Sequence, residues 1–190
     1  MRVVRFFAVK LTLVAAVLAL AACVTPGVNS AGSQGTGEQS STKQSKLIEL
    51  LRKDPHLSVQ TLKGGETILV QMRSGDSFTS DSIFPSKILE EVLDHVFNSL
   101  TSLGGKYTIK AVGHTSNAGQ QQTNMQLSER RAMSVAYYLI SKGFDQKLIS
   151  FEGKGAQDPI ANNDTQEGRD VNRRVDLLIR SCQTFICNID

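Results

Sequence analysis

Arg131 stands where a charged side chain could do chemistry at the edge of a hydrophobic core. The segment around it is predicted to be helical, and one line along that helix would carry Asn124, Ser128, Arg131 and Val135. A guanidinium at the margin of a core must find an anion, and its planar fork fits the two oxygens of a carboxylate. That carboxylate belongs either to a ligand or to an aspartate or glutamate of the chain itself, and position alone does not separate the two interpretations.

A second basic group, Arg173 and Arg174, opens the last predicted strand, residues 173–179. Side chains alternate between the two faces of a strand. The face that begins with Arg173 is the more apolar one, because it continues with Val175, Leu177 and Ile179. We therefore expect Arg173 at the mouth of the core, and we expect Arg174 and Asp176 to form a solvated row on the other face.

A run of small and polar residues, Gly113–Gly119, connects a predicted strand with the helix that carries Arg131. A loop of this kind offers backbone N–H groups to an anion at the start of the helix. Asn124 follows the loop and could either cap the helix or contact a ligand. Capping is the simpler interpretation, since asparagine is a preferred cap residue.

Enzymatic and metal-binding functions find little support. His114 and Ser116 are two residues apart at a strand end, a spacing that seldom forms a nucleophile–base pair, and no third member of such a set is evident. The three histidines, His56, His95 and His114, lack the paired spacing of metal ligands. We therefore expect a non-catalytic protein without a metal or cofactor.

Short strands and two long helices would position these residues. The apolar spacing predicts helices over 86–103 and 124–141 and strands over 57–62, 67–72, 107–112, 148–152 and 173–179, with a short helical turn near 164–168. Over residues 67–180 the order is β-α-β-α-β-β. This order predicts an α+β fold in which helices pack on one sheet.

Two segments precede that unit. Residues 46–66 are a lead-in, predicted to hold a short amphipathic helix over 46–53, ended by Pro55, and a hairpin; the helix would pack on the domain or on a partner. Residues 23–45 are rich in Gly, Ser, Thr, Gln and Asn. Because such a composition buries little apolar surface, this stretch is predicted to be a flexible tether.

The first 22 residues are typical of an export signal. Arg2, Arg5 and Lys10 precede an apolar run, Leu11–Ala22, that is shorter than the roughly 20 residues needed to span a bilayer. The run ends Leu-Ala-Ala-Cys, which resembles a lipoprotein cleavage box in which Cys23 would be acylated. Several acyl chains anchor a protein firmly to a membrane. The alternative is an ordinary signal peptide with a chance cysteine.

The charge of the chain depends on that signal. The full chain has 21 Lys+Arg and 18 Asp+Glu. Removal of the three basic signal residues leaves 18 against 18. A balanced chain gives no support for nucleic acid as a partner, because such binding relies on many phosphate contacts.

Two further cysteines, Cys182 and Cys187, lie close together near the C-terminus. In an oxidising compartment such neighbours can form a disulfide, which would tie off residues 181–190 as a tail. The alternatives are two free thiols or a metal site. The metal site is the weaker one, because two sulfurs do not complete a tetrahedral shell.

Taken together, these motifs resemble the OmpA-like C-terminal domain. The resemblance covers residues 68–180 and rests on Gly113-His114-Thr115, Asn124, Leu127-Ser128, Arg131-Ala132, Gly153, Gly155, Pro159, Thr165, Gly168-Arg169 and Asn172-Arg173-Arg174-Val175. It implies non-covalent binding of the diaminopimelate in the peptidoglycan stem peptide. It also implies a binding set of Ser116, Asn124, Arg131 and Arg173, in which Arg131 takes a ligand carboxylate.

Position 116 departs from the family pattern. The family has an aspartate directly after Gly-His-Thr, where it takes the ligand ammonium, and this chain has Ser116. Asp81, Asp158 and Asp164 are candidate substitutes for that acid.

The resemblance implies an outer-membrane lipoprotein that faces the periplasm and fastens an envelope assembly to the cell wall. The layout is also similar to the small OmpA-like lipoproteins of type IVB (Dot/Icm) secretion machines, which adds other envelope proteins as expected partners. The alternative is a purely structural subunit of such a machine.

Overall fold

The computed structural model describes residues 35–62, 64–72, 77–78, 82–182 and 187. The signal segment, Cys23 and Asp81 lie outside these residues. The elements are α1 (Gly35–Leu51), β1 (Leu57–Thr61), β2 (Thr67–Met72), α2 (Lys87–Ser102), β3 (Tyr107–Gly113), α3 (Gln121–Ser141), β4 (Ile149–Gly153), α4 (Gln166–Asn172) and β5 (Val175–Ser181), with a 3-10 turn at Gln146–Leu148. The predicted order of helices and strands is confirmed.

The five strands form one sheet in the order β1-β2-β5-β3-β4. Every neighbouring pair is antiparallel except β3 and β4, which are parallel and are joined through α3. The carboxyl ends of β3 and β4 therefore meet at the same edge of the sheet. The loop that leaves β3 and the loop that leaves β4 lie side by side there.

Helices cover one face of this sheet. On β5 that face carries Val175, Leu177 and Ile179, all fully buried. The apolar stripe of α2 packs into the same core, and Ser86 caps this helix by accepting a hydrogen bond from the Leu89 N–H at 3.1 Å. The α+β fold with helices packed on a sheet is thus confirmed.

Helix α1 packs on this core as well. Leu47 and Leu51 are fully buried, and His95 Nε2 lies 3.0 Å from the Leu50 carbonyl oxygen. The helix begins at Gly35, well before the expected start at Lys46, so the prediction of a coil over residues 35–45 is corrected. Tertiary packing of the two buried leucines stabilises the helix, since packing supplies most helical stability in proteins.

The end of β5 is tied to the start of β3. The Cys182 N–H donates to the Lys106 carbonyl oxygen at 2.8 Å, and Cys182 is bonded to Cys187 with Cα atoms 5.4 Å apart. Among the described residues, none of the helices combines the length and apolar content that a membrane span requires.

Candidate functional site

Helix α3 lies directly on the carboxyl ends of β3 and β4. A side chain on Gly113 would overlap with the Ser128 carbonyl oxygen, and a Cβ on Gly153 would lie 2.5 Å from both the Glu129 nitrogen and Ser128 Oγ. Glycine at both strand ends therefore allows a helix backbone to approach the sheet this closely. The approach brings α3 side chains to the two loops that leave the strands.

Ser128 joins the helix to the second of these loops. Its side chain is fully buried, and its Oγ accepts a hydrogen bond from the Gly155 N–H at 2.9 Å while donating to the Met125 carbonyl oxygen at 2.8 Å. Both the helix and the loop after β4 are held by this one hydroxyl group.

Asn124 holds the loop after β3. Its Nδ2 donates to the carbonyl oxygens of Ser116, at 3.3 Å, and Ala118, at 2.9 Å. The prediction that Asn124 caps the helix is wrong, because α3 begins three residues earlier, at Gln121, after the N-cap residue Gln120. The Asn124 amide thus points to the loop after β3. This hydrogen bond brings together Ser116 and Asn124, two members of the predicted binding set. Both residues are buried.

Arg131 lies two helical turns further along the same line of α3. Asn124, Ser128, Arg131 and Val135 are all buried, as the helical spacing predicts, and Arg131 is only 2% exposed. Its Nε donates to the Ser82 carbonyl oxygen at 2.9 Å, and its guanidinium lies 4.9 Å from the centre of the Phe78 ring. These contacts hold the head group over the segment that leads into α2.

The two C-terminal arginines exchange the positions expected of them. Strand β5 begins at Val175, and Arg173 caps the end of α4, where it pairs with Asp170 and is 36% exposed. Arg174 and Asp176 are buried, so the predictions of a solvated row and of Arg173 at the core mouth are wrong. For Arg173 the reason is the helix–strand junction: its backbone, with ψ near 76°, is not extended, so strand alternation does not reach it. Arg174 and Asp176 are on the predicted face of β5, but that face is covered by polar side chains from other segments.

Arg174 and Asp176 belong to a buried polar cluster at the end of β3. Arg174 Nε lies 3.1 Å and 3.2 Å from the two Asp176 oxygens, and Gln71 Nε2 lies 3.3 Å from both. His114 Nε2 lies 3.4 Å from Asp176 Oδ2. The sequence reasoning missed this cluster, because it depends on the pairing of β5 with β2 and β3 and not on any local pattern.

The candidate acids for an ammonium are differently placed. Asp158 and Asp164 are exposed, and their backbone carbonyl oxygens accept hydrogen bonds from Arg174 and Arg169. Another acid, Glu152, lies one residue before the end of β4, where Lys110 lies 3.0 Å away and lowers the pKa of its carboxyl group, so its charge is already compensated. Within the described part of the chain, no group of three metal-binding side chains occurs.

An asparagine pair joins the two loops of the site. Asn163 Oδ1 accepts hydrogen bonds from the Asn117 N–H at 3.3 Å and from Asn172 Nδ2 at 2.9 Å. Asn172 is fully buried, and its own Oδ1 accepts from the N–H groups of Ile160 and Ala161. The Asn172 of the recognised motif therefore orders the loop after β4 against the loop after β3.

Comparisons with known proteins agree with this architecture. Over 145 residues, 76% of this chain, the sequence is 32% identical to the probable lipoprotein YiaD of Escherichia coli K12, of which it covers 64%. Over 90 residues, 47% of this chain, it is 39% identical to the peptidoglycan-binding protein ArfA of Mycobacterium tuberculosis H37Rv, of which it covers 27%. The chain thus spans less than two thirds of the length of either relative.

The fold also resembles the solved structure of the cell wall anchor of the T6SS from Pseudomonas aeruginosa. The TM-score is 0.62 at 24% identity, with 73% of this chain and 96% of that chain covered. The OmpA family itself matches residues 79–173, which include every residue of the predicted binding set. This match spans half of the sequence, and the chain belongs to the OmpA family.

Proposed function

We propose that this protein is a non-catalytic anchor that binds peptidoglycan at the carboxyl edge of β3 and β4. The observation that carries the proposal is the buried line of Asn124, Ser128 and Arg131 on α3, set against the turn that contains Ser116. The name of ArfA as peptidoglycan-binding and the description of the T6SS structure as a cell wall anchor support the same assignment.

In this proposal Arg131 recognises a carboxylate of diaminopimelate. A guanidinium binds both oxygens of a carboxylate through its fork, which gives direction as well as charge. The ligand would compete with the contacts that Arg131 makes to Ser82 and Phe78. Asn124 holds the turn in shape, and Arg173, which is half-buried and pairs with Asp170, is the other charged member of the predicted binding set.

Ser116 limits the strength of this binding. The side chain of Ser116 can accept a hydrogen bond from an ammonium but carries no charge. Hydrogen bonds to charged groups contribute about 1.5–3 kcal/mol, against about 1 kcal/mol for neutral pairs. We therefore expect binding roughly tenfold weaker than an aspartate would give at this position.

Sedimentation with sacculi tests the proposal. Residues 24–190 contain every described element of the core and would be mixed with diaminopimelate-type sacculi. We expect Arg131→Ala to abolish co-sedimentation. Arg130→Ala is the matched control, because it removes the same charge from an exposed position of the same helix and should leave binding intact. Equal retention of the parent and Arg131→Ala would refute carboxylate recognition by Arg131.

We also propose that Cys23 carries the lipid that holds the chain on the periplasmic side of the outer membrane. The description of YiaD as a probable lipoprotein supports this assignment. Labelling of cells with a palmitate analogue should mark the full-length chain and should fail for Cys23→Ser. Labelling of the Cys23→Ser variant would place the lipid elsewhere.

The finer proposal is a role in a type IVB secretion machine, with envelope proteins as partners. A second candidate function is a subunit of such a machine that does not bind the wall, and the uncharged Ser116 favours it. Purification of the full-length chain from cross-linked envelopes should recover secretion components in both cases. Recovery of none would exclude both versions, whereas sacculus binding distinguishes between them.

A further inference from the structure

The carboxylate of Asp176 lies on the face of the sheet opposite the helices. There it contacts His114, at the start of the turn that contains Ser116. Asp176 is the Cα partner of Gln71 on β2 and of Val112 on β3, so these three side chains share one face. That face is opposite to the one with Val175 and Leu177, because side chains alternate along β5. His114 follows two residues after Val112 and points to the same side.

Asp176 is the centre of a charge cluster that stability alone does not explain. The side chains of Arg174, His114 and Asp176 are 3%, 5% and 9% exposed. Desolvating an ion pair can cost more than the attraction returns, and well-packed apolar residues often replace such pairs at no loss of stability. A cluster of this kind at the edge of a binding site therefore invites a functional interpretation.

Arg174 connects Asp176 to both loops of the site through hydrogen bonds. Its carbonyl oxygen accepts the His114 N–H at 2.9 Å, and its Nη2 donates to the Asp158 carbonyl oxygen at 3.2 Å. The next residue of the turn, Thr115, donates its N–H to the Gly155 carbonyl oxygen at 2.8 Å. Ser116 follows directly. A backbone hydrogen bond therefore fixes each of the two residues that precede Ser116.

Among the described residues, buried polar atoms in this turn and on Arg174 have no hydrogen-bond partner. Within the described part of the chain, His114 Nδ1, Thr115 Oγ1 and Arg174 Nη1 are buried without a partner. Buried polar groups are nearly always paired, and each exception needs an explanation. A turn that leaves such groups unpaired requires strong contacts elsewhere to hold it, and the carboxylate of Asp176 supplies them.

We propose that Asp176 is a positioning residue of the binding site: by holding Arg174 and His114 from the helix-free face, it fixes the turn that presents Ser116. The consequence for wall binding rests on the proposed function. The consequence for the order of the turn does not, so the two can fail separately.

Hydrogen exchange of the full mature chain tests the proposal with Asp176→Asn and the milder Gln71→Met. Gln71→Met removes only one donor of the cluster and should fold even if Asp176→Asn does not. We expect the His114 and Thr115 amides to exchange roughly tenfold faster in either variant, the effect of one lost charged hydrogen bond. The Cys182 amide, bonded to Lys106 at the other end of the sheet, should keep its rate. Gln60→Met, an exposed site on β1, is the matched control.

A general loss of stability would accelerate the Cys182 amide together with the turn, and that result would overturn the proposal. Unchanged turn amides in Gln71→Met would overturn it as well. Asp176→Glu should keep part of the protection that Asp176→Asn loses, because it retains the carboxylate that Arg174 and His114 contact. If the turn loosens while sacculus binding by the same variants equals that of the parent, the assignment to the binding site is wrong. If the parent itself does not bind sacculi, the exchange rates still decide whether Asp176 orders the turn.

Discussion

Gly113 at the end of β3 lies against the backbone of Ser128 on α3, so closely that no side chain fits between them. This contact sets the height at which α3 crosses the sheet edge. Since Asn124 and Arg131 are on the same line of the helix as Ser128, the contact also sets their distance from the Ser116 turn. The geometry of the site therefore depends on the absence of a Cβ at position 113.

Gly113→Ala is expected to destabilise the fold. The added methyl group would meet backbone atoms of Ser128, which cannot rotate away, so the helix must shift. Overpacking of this kind costs about 1–3 kcal/mol. Urea unfolding followed by circular dichroism would measure the change.

The control for this prediction is Gly64→Ala. Gly64 has a φ of 95° but open space around it, so its substitution costs only backbone strain, about 1–2 kcal/mol. Gly113→Ala should also weaken sacculus binding beyond the loss of folded protein, and Gly64→Ala should not. An unchanged urea midpoint for Gly113→Ala would contradict the proposed close contact.

Ser128→Ala is expected to cost more than its size suggests. The change leaves the buried Gly155 N–H without its acceptor, and an unsatisfied buried donor costs about 1–3 kcal/mol. Ser134→Ala is the matched control, because Ser134 Oγ bonds only the Arg131 carbonyl oxygen within the same helix, at 2.8 Å. Thermal unfolding should give a lower midpoint for Ser128→Ala than for Ser134→Ala. Equal midpoints would argue against a role for the Ser128–Gly155 hydrogen bond.

The buried line on α3 could be predicted because helical periodicity is a local property. Asn124, Ser128, Arg131 and Val135 fall on one line at any helix with this sequence, whatever packs against it. The role of Asn124 could not be predicted in the same way. It depends on where the helix begins, and the start at Gln121 turns its amide towards the loop instead of the helix end.

The burial of Arg174 and Asp176 could not be predicted from a local sequence pattern either, for a different reason. Alternation places Asp176 correctly on the face opposite Val175 and Leu177, but it does not say whether that face is covered. Even with the correct strand, the partners Gln71 and His114 come from distant segments, which only the strand order β1-β2-β5-β3-β4 brings together. A single sequence carries no signal for that order.

Reduction of the Cys182–Cys187 disulfide is expected to have a modest effect. The bond closes a loop with a sequence separation of 5, for which loop-closure entropy gives about 2 kcal/mol. The bond lies at the end of the sheet opposite the Ser116 turn, next to Lys106. Urea unfolding with and without a reductant should show the loss, and the double variant Cys182→Ser/Cys187→Ser should not respond to the reductant. A change in sacculus binding on reduction would contradict the separation of the disulfide from the site.

Ser116→Asp is expected to strengthen sacculus binding roughly tenfold, because a charged acceptor for the ligand ammonium contributes more than a neutral one. Ser116→Asn is the control, since it adds similar volume at this buried position without the charge. The gain should fall only slightly as salt is added, because a buried ion pair is screened much less than an exposed one. Binding isotherms with sacculi at two salt concentrations would measure both effects. Equal affinities for Ser116→Asp and Ser116→Asn would mean that position 116 does not meet the ammonium. Binding by Ser116→Asp alone would mean that the natural serine has disarmed the pocket, which favours a structural subunit over a wall anchor.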